Sequence, residues 1–295
     1  NNIKGIPKLE DADWAGTKKS VQCRLILTEG DSAKGLAMAG RSAVQDGNCR
    51  YGVFPLKGKL LNVREATAKQ LLENEEMINI KKILGLQHNK EYKTASELRY
   101  GSIIILTDQD TDGYHIKGLV MNFFHHFFPS LIKLDFIHSL ATPIVKASKG
   151  KDTKTFYNLT EYETWKNKID TNLWHIKYYK GLGTSTAAEA REYFAQMNTL
   201  DYEWDADSDK SINLAFKKDR ADERKTWLST YDRNRQIVVV AGGSKVNYSK
   251  FIHDELIHFS SADNIRSLPS VIDGLKPSQR KILWACLKRN LTTEI

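Results

Sequence analysis

This sequence has few cysteines and no long hydrophobic run. The three cysteines, Cys23, Cys49 and Cys286, form no CxxC pair, which excludes a zinc ribbon and argues against a secreted disulfide scaffold. The longest apolar stretches, such as Ile103–Leu106, have the length of a strand and are too short to span a membrane. The chain opens at Asn1 with neither Met nor a signal peptide, so we expect a fragment of a longer protein without a membrane partner.

Several common catalytic motifs are also missing. Gly52–Lys59 has the wrong spacing for a phosphate-binding Walker A loop, and Ser32 does not lie in a GxSxG motif. His125 and His126 have no HExxH frame, and Gly181–Gly183 lacks the third glycine of a dinucleotide-binding loop. We therefore do not expect this segment to hydrolyse ATP by itself.

The composition is that of a folded, basic protein. The 295 residues are enough for about two domains. Hydrophobic residues make up 41% and charged residues 27%, which is too apolar for a disordered chain. Lys and Arg number 44 against 36 Asp and Glu, a net charge of +8. This excess favours a polyanionic partner without identifying it.

Three apolar runs indicate the strands of a sheet. They are Arg24–Thr28, Tyr51–Phe54, which Pro55 should end, and Ser102–Thr107. Helical periodicity follows these runs, and Asp31 or Ser32 could cap the first helix. Strands that alternate with helices predict an α/β fold with an open parallel sheet flanked by helices.

From about residue 149 the pattern becomes mostly helical. A Gly- and Lys-containing turn at 148–152 indicates a β-hairpin. Helices are predicted over 160–168, 186–198, 208–231, 249–259 and 278–289.

Four carboxylates lie where the predicted strands end. Glu29 follows the first strand, and Asp108, Asp110 and Asp112 follow the third. In an extended segment residues at i, i+2 and i+4 face the same way, so the three Asp side chains can point into one crevice. If the first and third strands are neighbours, Glu29 joins them at the carboxyl edge of the sheet. Clustered carboxylates repel one another unless a cation is present, so the pattern predicts a Mg²⁺ site for phosphoryl transfer.

Two other interpretations of this acidic motif stay open. DxDxDG also begins an EF-hand calcium loop, but loop position twelve is Leu119 instead of Glu, and the motif follows a strand. The other interpretation is a solvated acidic turn in which an Asp caps the helix after Gly113. The spacing favours the metal site over both.

Longer strings of residues resemble a known family. Leu27–Ala33 (LTEGDSA) and Asp108–Gly113 (DQDTDG) resemble the TOPRIM fold of type II topoisomerases and primases. Four further strings resemble eukaryotic-type DNA topoisomerase II: Ile3–Asp13, Gly52–Glu65, Tyr178–Ser185 and Arg266–Arg289. The resemblance extends over essentially the whole chain.

The resemblance implies a domain organisation within a breakage–reunion core. A linker segment would cover residues 1–21, a TOPRIM domain 22–148, a C-terminal extension 149–262 and the truncated start of a winged-helix domain 263–295. The whole enzyme would use ATP to pass one DNA duplex through a transient double-strand break in another. Its ATPase module would precede Asn1 and its nucleophilic tyrosine would follow Ile295, so we expect this chain alone to be inactive.

The resemblance also implies roles for the four acidic residues. Glu29, Asp108 and Asp110 match the family's Mg²⁺ ligands. Glu29 and Asp108 would hold one ion, Asp108 and Asp110 would hold a second, and Mn²⁺ or Ca²⁺ could substitute. Asp112 would complete the catalytic group by supporting the site through water.

Double-stranded DNA is the partner that the resemblance implies. Five residues match positions that contact it: Lys59, Asn62, Lys217, Lys218 and Lys276. For each lysine the alternative is an ordinary solvated charge, although Lys59 lies in a loop that could face the acidic crevice. The full-length enzyme would be a homodimer that binds ATP. It would be nuclear in a eukaryotic cell, and cytoplasmic or in a viral factory if it is viral.

Two rival functions remain at this stage. A TOPRIM nuclease or primase-like enzyme would keep the fold and change the reaction, but the winged-helix string at Asp273–Lys288 argues against it. A non-catalytic DNA-binding module would use the basic surface alone. The acidic cluster argues against that module, because it would repel DNA unless a cation is bound.

Overall fold

Nine strands form two sheets in the computed structural model, which describes residue 3 and residues 5–294. The strands are β1 (Arg24–Glu29), β2 (Tyr51–Leu56), β3 (Ser102–Leu106), β4 (Ile137–Leu140), β5 (Val145–Lys149), β6 (Asp152–Phe156), β7 (His175–Tyr178), β8 (Thr199–Glu203) and β9 (Ser244–Asn247). The larger sheet has the order β2-β1-β3-β4-β8-β9, and the smaller one has the order β6-β5-β7.

The structure describes thirteen α-helices besides these strands. They are α1 (Gly30–Arg41), α2 (Gly47–Arg50), α3 (Ala68–Glu73), α4 (Glu75–Leu84), α5 (Thr111–Phe127), α6 (Pro129–Ile132), α7 (Leu159–Lys166), α8 (Ala187–Gln196), α9 (Ser208–Phe216), α10 (Ala221–Ser229), α11 (Tyr248–Phe251), α12 (Ile257–Ser267) and α13 (Pro277–Lys288). A π-helical turn, Ile252–Leu256, joins α11 to α12. None of the described helices is both long and apolar enough to cross a membrane.

The predicted α/β fold is confirmed, and β1 is the neighbour of β3. Strands β1–β4 are parallel, and Thr28 lies beside Leu106 in the register of β1 and β3. The larger sheet is mixed instead of fully parallel, because β8 runs antiparallel to β4 and β9 runs parallel to β8. These two strands come from the predicted C-terminal extension, so one sheet contains residues from both predicted domains.

The apolar runs of β1 and β3 are buried on both faces of the larger sheet. Leu25, Leu27, Ile103 and Ile105 belong to one hydrophobic cluster. Ile26, Ile104 and Leu106 belong to a second cluster. Successive strand residues point to opposite faces, so helices must cover both sides of these strands, as the continuous apolar pattern predicted.

Three local predictions are wrong at element boundaries. Pro55 does not end β2, which continues to Leu56; β2 is the outer strand of its sheet, where a missing N–H is tolerated. Neither Asp31 nor Ser32 caps α1, which begins at Gly30 after an N-cap residue without a side-chain capping bond. The helix predicted over 208–231 is two helices, α9 and α10, separated by a short 3₁₀ turn.

The predicted hairpin at 148–152 is confirmed as the turn between β5 and β6. The helix predicted over 249–259 is longer than expected, since α11, the π-helical turn and α12 continue to Ser267. A small aromatic cluster packs beneath the three-stranded sheet, where Phe156 contacts Tyr162 and Trp165.

Residues 10–15, within the predicted linker segment, pack on the larger sheet. Glu10 forms a bridge with Val53 at the edge of β2, Ala12 is buried, and Asp11 makes a 2.6 Å ion pair with Arg99. Residues 1, 2 and 4 of that predicted linker lie outside the described residues, as does residue 295 of the predicted winged-helix start.

Candidate metal centre

Glu29 and Asp108 meet at the carboxyl edge of the sheet. They follow neighbouring parallel strands, and Glu29 Oε2 accepts a 3.1 Å hydrogen bond from the Asp108 amide. Glu29 is available for this contact because its side chain does not cap α1. Burial raises the pKa of Glu29 against the effect of the Asp108 amide, and the carboxylates of Asp108, Asp110 and Asp112 raise it further. This juxtaposition is the one that the strand pattern predicted.

The Asp108 side chain also contacts two residues to which the sequence analysis gave no role, Gly181 and Leu182. The Leu182 amide donates a 2.7 Å hydrogen bond to Asp108 Oδ1. The neighbouring Gly181 is so close that a Cβ at this position would lie 2.6 Å from Asp108 Oδ2. Two signals in the sequence covered these residues: the Gly-Leu-Gly string, which fails as a dinucleotide-binding loop, and the string Tyr178–Ser185, which resembles topoisomerase II. Neither one indicated a contact with Asp108.

Asp110 and Asp112 do not continue the extended arrangement that the sequence predicted. Helix α5 begins at Thr111, so Asp110 is its N-cap residue and accepts a 2.8 Å hydrogen bond from the Gly113 amide. The alternative interpretation, in which an Asp caps the helix after the motif, is therefore correct for one oxygen of Asp110. Asp112 lies in the first turn of α5, where the alternation of an extended chain no longer applies.

Asp112 is paired with two cations. Its carboxylate lies 2.5 Å from Lys59 Nζ and makes two bonds of 2.7 and 2.8 Å with the Arg266 guanidinium. Arg266 and then Lys59 hold the pKa of Asp112 well below its ordinary value. Both cations also lie over the ring of Phe259. Arg266 has no role in the sequence prediction, so this contact was missed.

The carboxylate oxygens of the other three acids are suitable ligands for a hard cation. Glu29, Asp108 and Asp110 each use one oxygen to accept a backbone N–H, and no donor among the described residues contacts their second oxygen. In the described part of the chain, no group of three or more acidic, His or Cys side chains is arranged to hold a metal ion as it stands. Mg²⁺ commonly binds through one or two carboxylates and completes its shell with water and substrate phosphate.

Of the five predicted DNA contacts, Lys59 alone touches the acidic motif within the part of the chain that the structure describes. Asn62 points inward, because its amide donates to the Phe216 carbonyl at 3.0 Å and its oxygen accepts from Asn122 at 2.9 Å. The remaining three lysines lie at helix boundaries. Lys217 follows α9, Lys218 begins the next turn, and Lys276 precedes α13.

Three family matches cover nearly the whole chain. Residues 24–140 match the Toprim domain, residues 140–264 match the C-terminal associated domain of TOPRIM, and residues 266–295 match the DNA gyrase/topoisomerase IV A-type subunit. The chain is 51% identical over 312 residues to DNA topoisomerase 2-beta of Homo sapiens, with 100% of this chain covered. The chain belongs to the type II DNA topoisomerase family.

Further relatives of this family agree. DNA topoisomerase 2-alpha of Gallus gallus is 51% identical over 310 residues, or 99% of this chain. The crystal structure of the Plasmodium falciparum topoisomerase II DNA-binding, cleavage and re-ligation domain has a TM-score of 0.89 and 47% identity, and it covers 100% of this chain and 40% of that one. The chain spans about a fifth of the length of the curated topoisomerases that it matches.

The candidate site takes residues from all three matched regions of this topoisomerase chain. Glu29 and Asp108 lie in the Toprim match, Leu182 lies in the C-terminal associated domain, and Arg266 is the first residue of the third match. Residues from the three matched regions, which are distant in sequence, therefore meet at the acidic motif.

Proposed function

We propose that this chain is the metal-binding part of an ATP-dependent type II DNA topoisomerase. The complete enzyme makes and reseals a transient double-strand break and passes another duplex through it. The observation that carries the proposal is the pair of Glu29 and Asp108, whose free carboxylate oxygens lie at neighbouring strand ends in a chain of this family. The gyrase/topoisomerase IV match over 266–295 favours this reaction over that of a nuclease or primase.

The residues that would hold the metal are Glu29, Asp108 and Asp110. The Toprim match supports a divalent ion without choosing which one. We assign Mg²⁺, with Glu29 and Asp108 at the position nearest the scissile phosphate and Asp108 and Asp110 at a second position. When bound, the ion stabilises negative charge on the phosphate and on the leaving oxygen. Asp112 supports the site by holding Lys59 and Arg266.

The proposal extends to partners, location and domains. Double-stranded DNA is the substrate, with Lys59, Lys217, Lys218, Lys276 and Asn62 as its contacts, and the enzyme is a homodimer. To bind DNA, Asn62 would have to replace its hydrogen bonds to Phe216 and Asn122 with hydrogen bonds to the DNA. ATP acts outside this segment, the chain alone is inactive, and a eukaryotic cell keeps the enzyme in its nucleus. The proposed boundaries are 1–21, 22–148, 149–262 and 263–295.

The substitution Asp108→Asn tests this function. Asp108 is the ligand shared by both proposed ion positions, so its loss should abolish DNA cleavage by the complete enzyme in Mg²⁺ while DNA binding persists. Cleavage of supercoiled plasmid and a duplex-binding titration measure the two properties. Asp31→Asn is the matched control, since Asp31 is an exposed acid just after the neighbouring strand β1 and pairs with Lys8. Near-normal cleavage by Asp108→Asn would refute the assignment.

A second measurement addresses the ion itself. Crystals of the 295-residue chain soaked in Mn²⁺ should show anomalous density between Glu29 and Asp108. The binding should be weak, because substrate phosphate supplies part of the shell. Density elsewhere with none at this pair would remove the metal centre from the proposal.

A further inference from the structure

The backbone conformation of Gly181 does not by itself require glycine. Its φ of −173° and ψ of 174° are those of an extended residue, which any amino acid can adopt. The restriction comes from Asp108, because a Cβ on Gly181 would lie 2.6 Å from Asp108 Oδ2 and 3.2 Å from Oδ1. A side chain at this position would therefore push the Asp108 carboxylate away from its present orientation.

Leu182 places a hydrogen-bond donor on the same carboxylate. Its amide donates to Asp108 Oδ1 at 2.7 Å. Its side chain is only 5% exposed and packs in the cluster that contains Ile26 of β1 and Leu106 of β3. Since Leu106 lies two residues before Asp108, the same core fixes both ends of this hydrogen bond.

Glu189 of α8 holds the chain on both sides of this segment. Its carboxylate accepts hydrogen bonds from Lys177 Nζ at 2.8 and 2.9 Å, from the Tyr179 hydroxyl at 2.5 Å and from the Thr186 amide at 2.7 Å. Burial by itself raises the pKa of Glu189, but these contacts outweigh it and lower the pKa to about 2. Glu189 therefore stays ionised at neutral pH and keeps its contacts.

We propose that residues 180–184 form a positioning loop that holds Asp108 in the orientation needed to bind a divalent ion. The Leu182 amide fixes Oδ1, and the missing side chain of Gly181 leaves room for Oδ2, which no donor among the described residues contacts. The inference rests on the proposed function, because it assigns the loop a purpose only if Asp108 is a metal ligand. Gly181, Leu182 and Glu189 are then positioning residues in the C-terminal associated domain that act on a ligand in the Toprim domain.

The test compares Gly181→Ala with Gly183→Ala in the 295-residue chain. A Cβ on Gly183 would have its nearest neighbour, Ser32 Cβ, 4.0 Å away, so this variant is a matched control in the same loop. One readout is the ¹⁵N–¹H signal and hydrogen exchange of the Leu182 amide, with Asp108→Asn as the reference for a weakened bond. The other readout is Mn²⁺ affinity, measured from the electron paramagnetic resonance of free Mn²⁺.

The expected result separates the two glycine variants. Gly181→Ala should shift the Leu182 amide in the direction seen for Asp108→Asn, speed its exchange and weaken Mn²⁺ binding by about tenfold or more. Gly183→Ala should change neither property. If Gly181→Ala does not fold, Glu189→Gln releases the loop without adding an atom near Asp108 and should shift the amide in the same direction.

Two results would overturn the proposal. One is a Leu182 amide that responds neither to Asp108→Asn nor to the loop variants. The other is Mn²⁺ affinity that stays at the wild-type level in Gly181→Ala although the amide has moved. Failure of the proposed function gives a different pattern. The wild-type chain then binds no Mn²⁺, whereas the Leu182 amide still depends on Asp108, and the positioning contact stands without a metal to serve.

Discussion

At the scale of single residues, four acids close in space have two kinds of environment. Glu29, Asp108 and Asp110 each accept a backbone amide with one oxygen, and no donor in the described part of the chain contacts the other oxygen. Both oxygens of Asp112 are instead bonded to Lys59 and Arg266. The first environment suits a metal ligand, and the second suits a residue that organises cations. Residue type and spacing alone do not distinguish these two uses.

The substitution His115→Phe tests the electrostatics beside this cation pair. The His115 ring stacks on Phe259 with centroids 3.8 Å apart, and its Nδ1 is buried without a hydrogen-bond partner in the described residues. Burial and then Lys59 lower its pKa from 6.5 to about 4. Between those values the unfolded chain binds the proton and the folded chain does not. The stability from this group is therefore present above pH 6.5 and is lost as the pH falls towards 4.

Phe keeps the stacking and removes the titration. Relative to wild type, His115→Phe should gain stability as the pH falls from about 7 to about 4.5, by up to about 3 kcal/mol. Urea unfolding at several pH values measures the difference. Parallel pH profiles for the two proteins would contradict the prediction.

At the scale of elements, α5 links the acidic motif to a buried ion pair. Lys117 of α5 is 1% exposed and lies 3.1 Å from Glu255 in the π-helical turn that joins α11 to α12. Such π-helical turns occur frequently at functional sites. Arg266 at the end of α12 returns to Asp112 at the start of α5. Two ion pairs, Lys117–Glu255 and Asp112–Arg266, therefore connect α5 to the continuous segment formed by the π-helical turn and α12.

The substitution Lys117→Met should destabilise the fold by about 3–5 kcal/mol, because it leaves the Glu255 carboxylate buried without its partner. The double variant Lys117→Met, Glu255→Met should recover much of that loss, since it removes both charges. A double-mutant cycle from urea unfolding measures the coupling. As a control, Lys225→Met breaks the exposed pair with Asp222 and should have little effect. Additive single effects at Lys117 and Glu255 would contradict the role given to this pair.

At the scale of the whole molecule, one sheet joins regions that match different families. β1–β4 lie in the Toprim match, and β8 and β9 lie in the match to its C-terminal associated domain. The net charge is +8, yet the carboxylates of Glu29 and Asp108 lie at the carboxyl edge of this sheet. A polyanion that approaches this edge therefore needs a cation there and lysines around it.

The salt dependence of DNA binding tests where those lysines act. If Lys59 and Lys276 contact phosphates, the double variant Lys59→Ala, Lys276→Ala should reduce the slope of log K against log salt by about 1.8, or roughly 0.9 for each contact. Duplex titrations of the complete enzyme at several salt concentrations measure the slope.

Lys151→Ala, Lys168→Ala is the matched control, because both lysines are exposed near the smaller sheet. This control should leave the slope close to that of wild type. An unchanged slope in the Lys59 and Lys276 variant would mean that these lysines are solvated charges and that DNA follows another path.

Features that depend on local pattern were predictable from the amino-acid sequence. Continuous apolar runs are typical of strands buried on both faces, so β1 and β3 and the α/β class were predictable, as was the meeting of Glu29 with Asp108. The long strings shared with topoisomerase II identified the family. Boundaries were less accurate at Pro55 and Thr111, where the position of a strand in its sheet and the first turn of a helix outweigh local preference.

The partner of each acid, in contrast, depends on contacts between segments that are distant in sequence. Arg266 is 154 residues from Asp112 and Leu182 is 74 residues from Asp108. Such pairs depend on how the segment around Leu182 and α8 packs on α1 and how α12 packs on α5. No periodicity within a short window of sequence predicts that packing. The backbone amide of Leu182 carries no sequence signal at all, because every residue except proline has one. The chemistry of the site therefore depends on the folded structure, because the fold determines which carboxylate oxygens accept hydrogen bonds from other described residues.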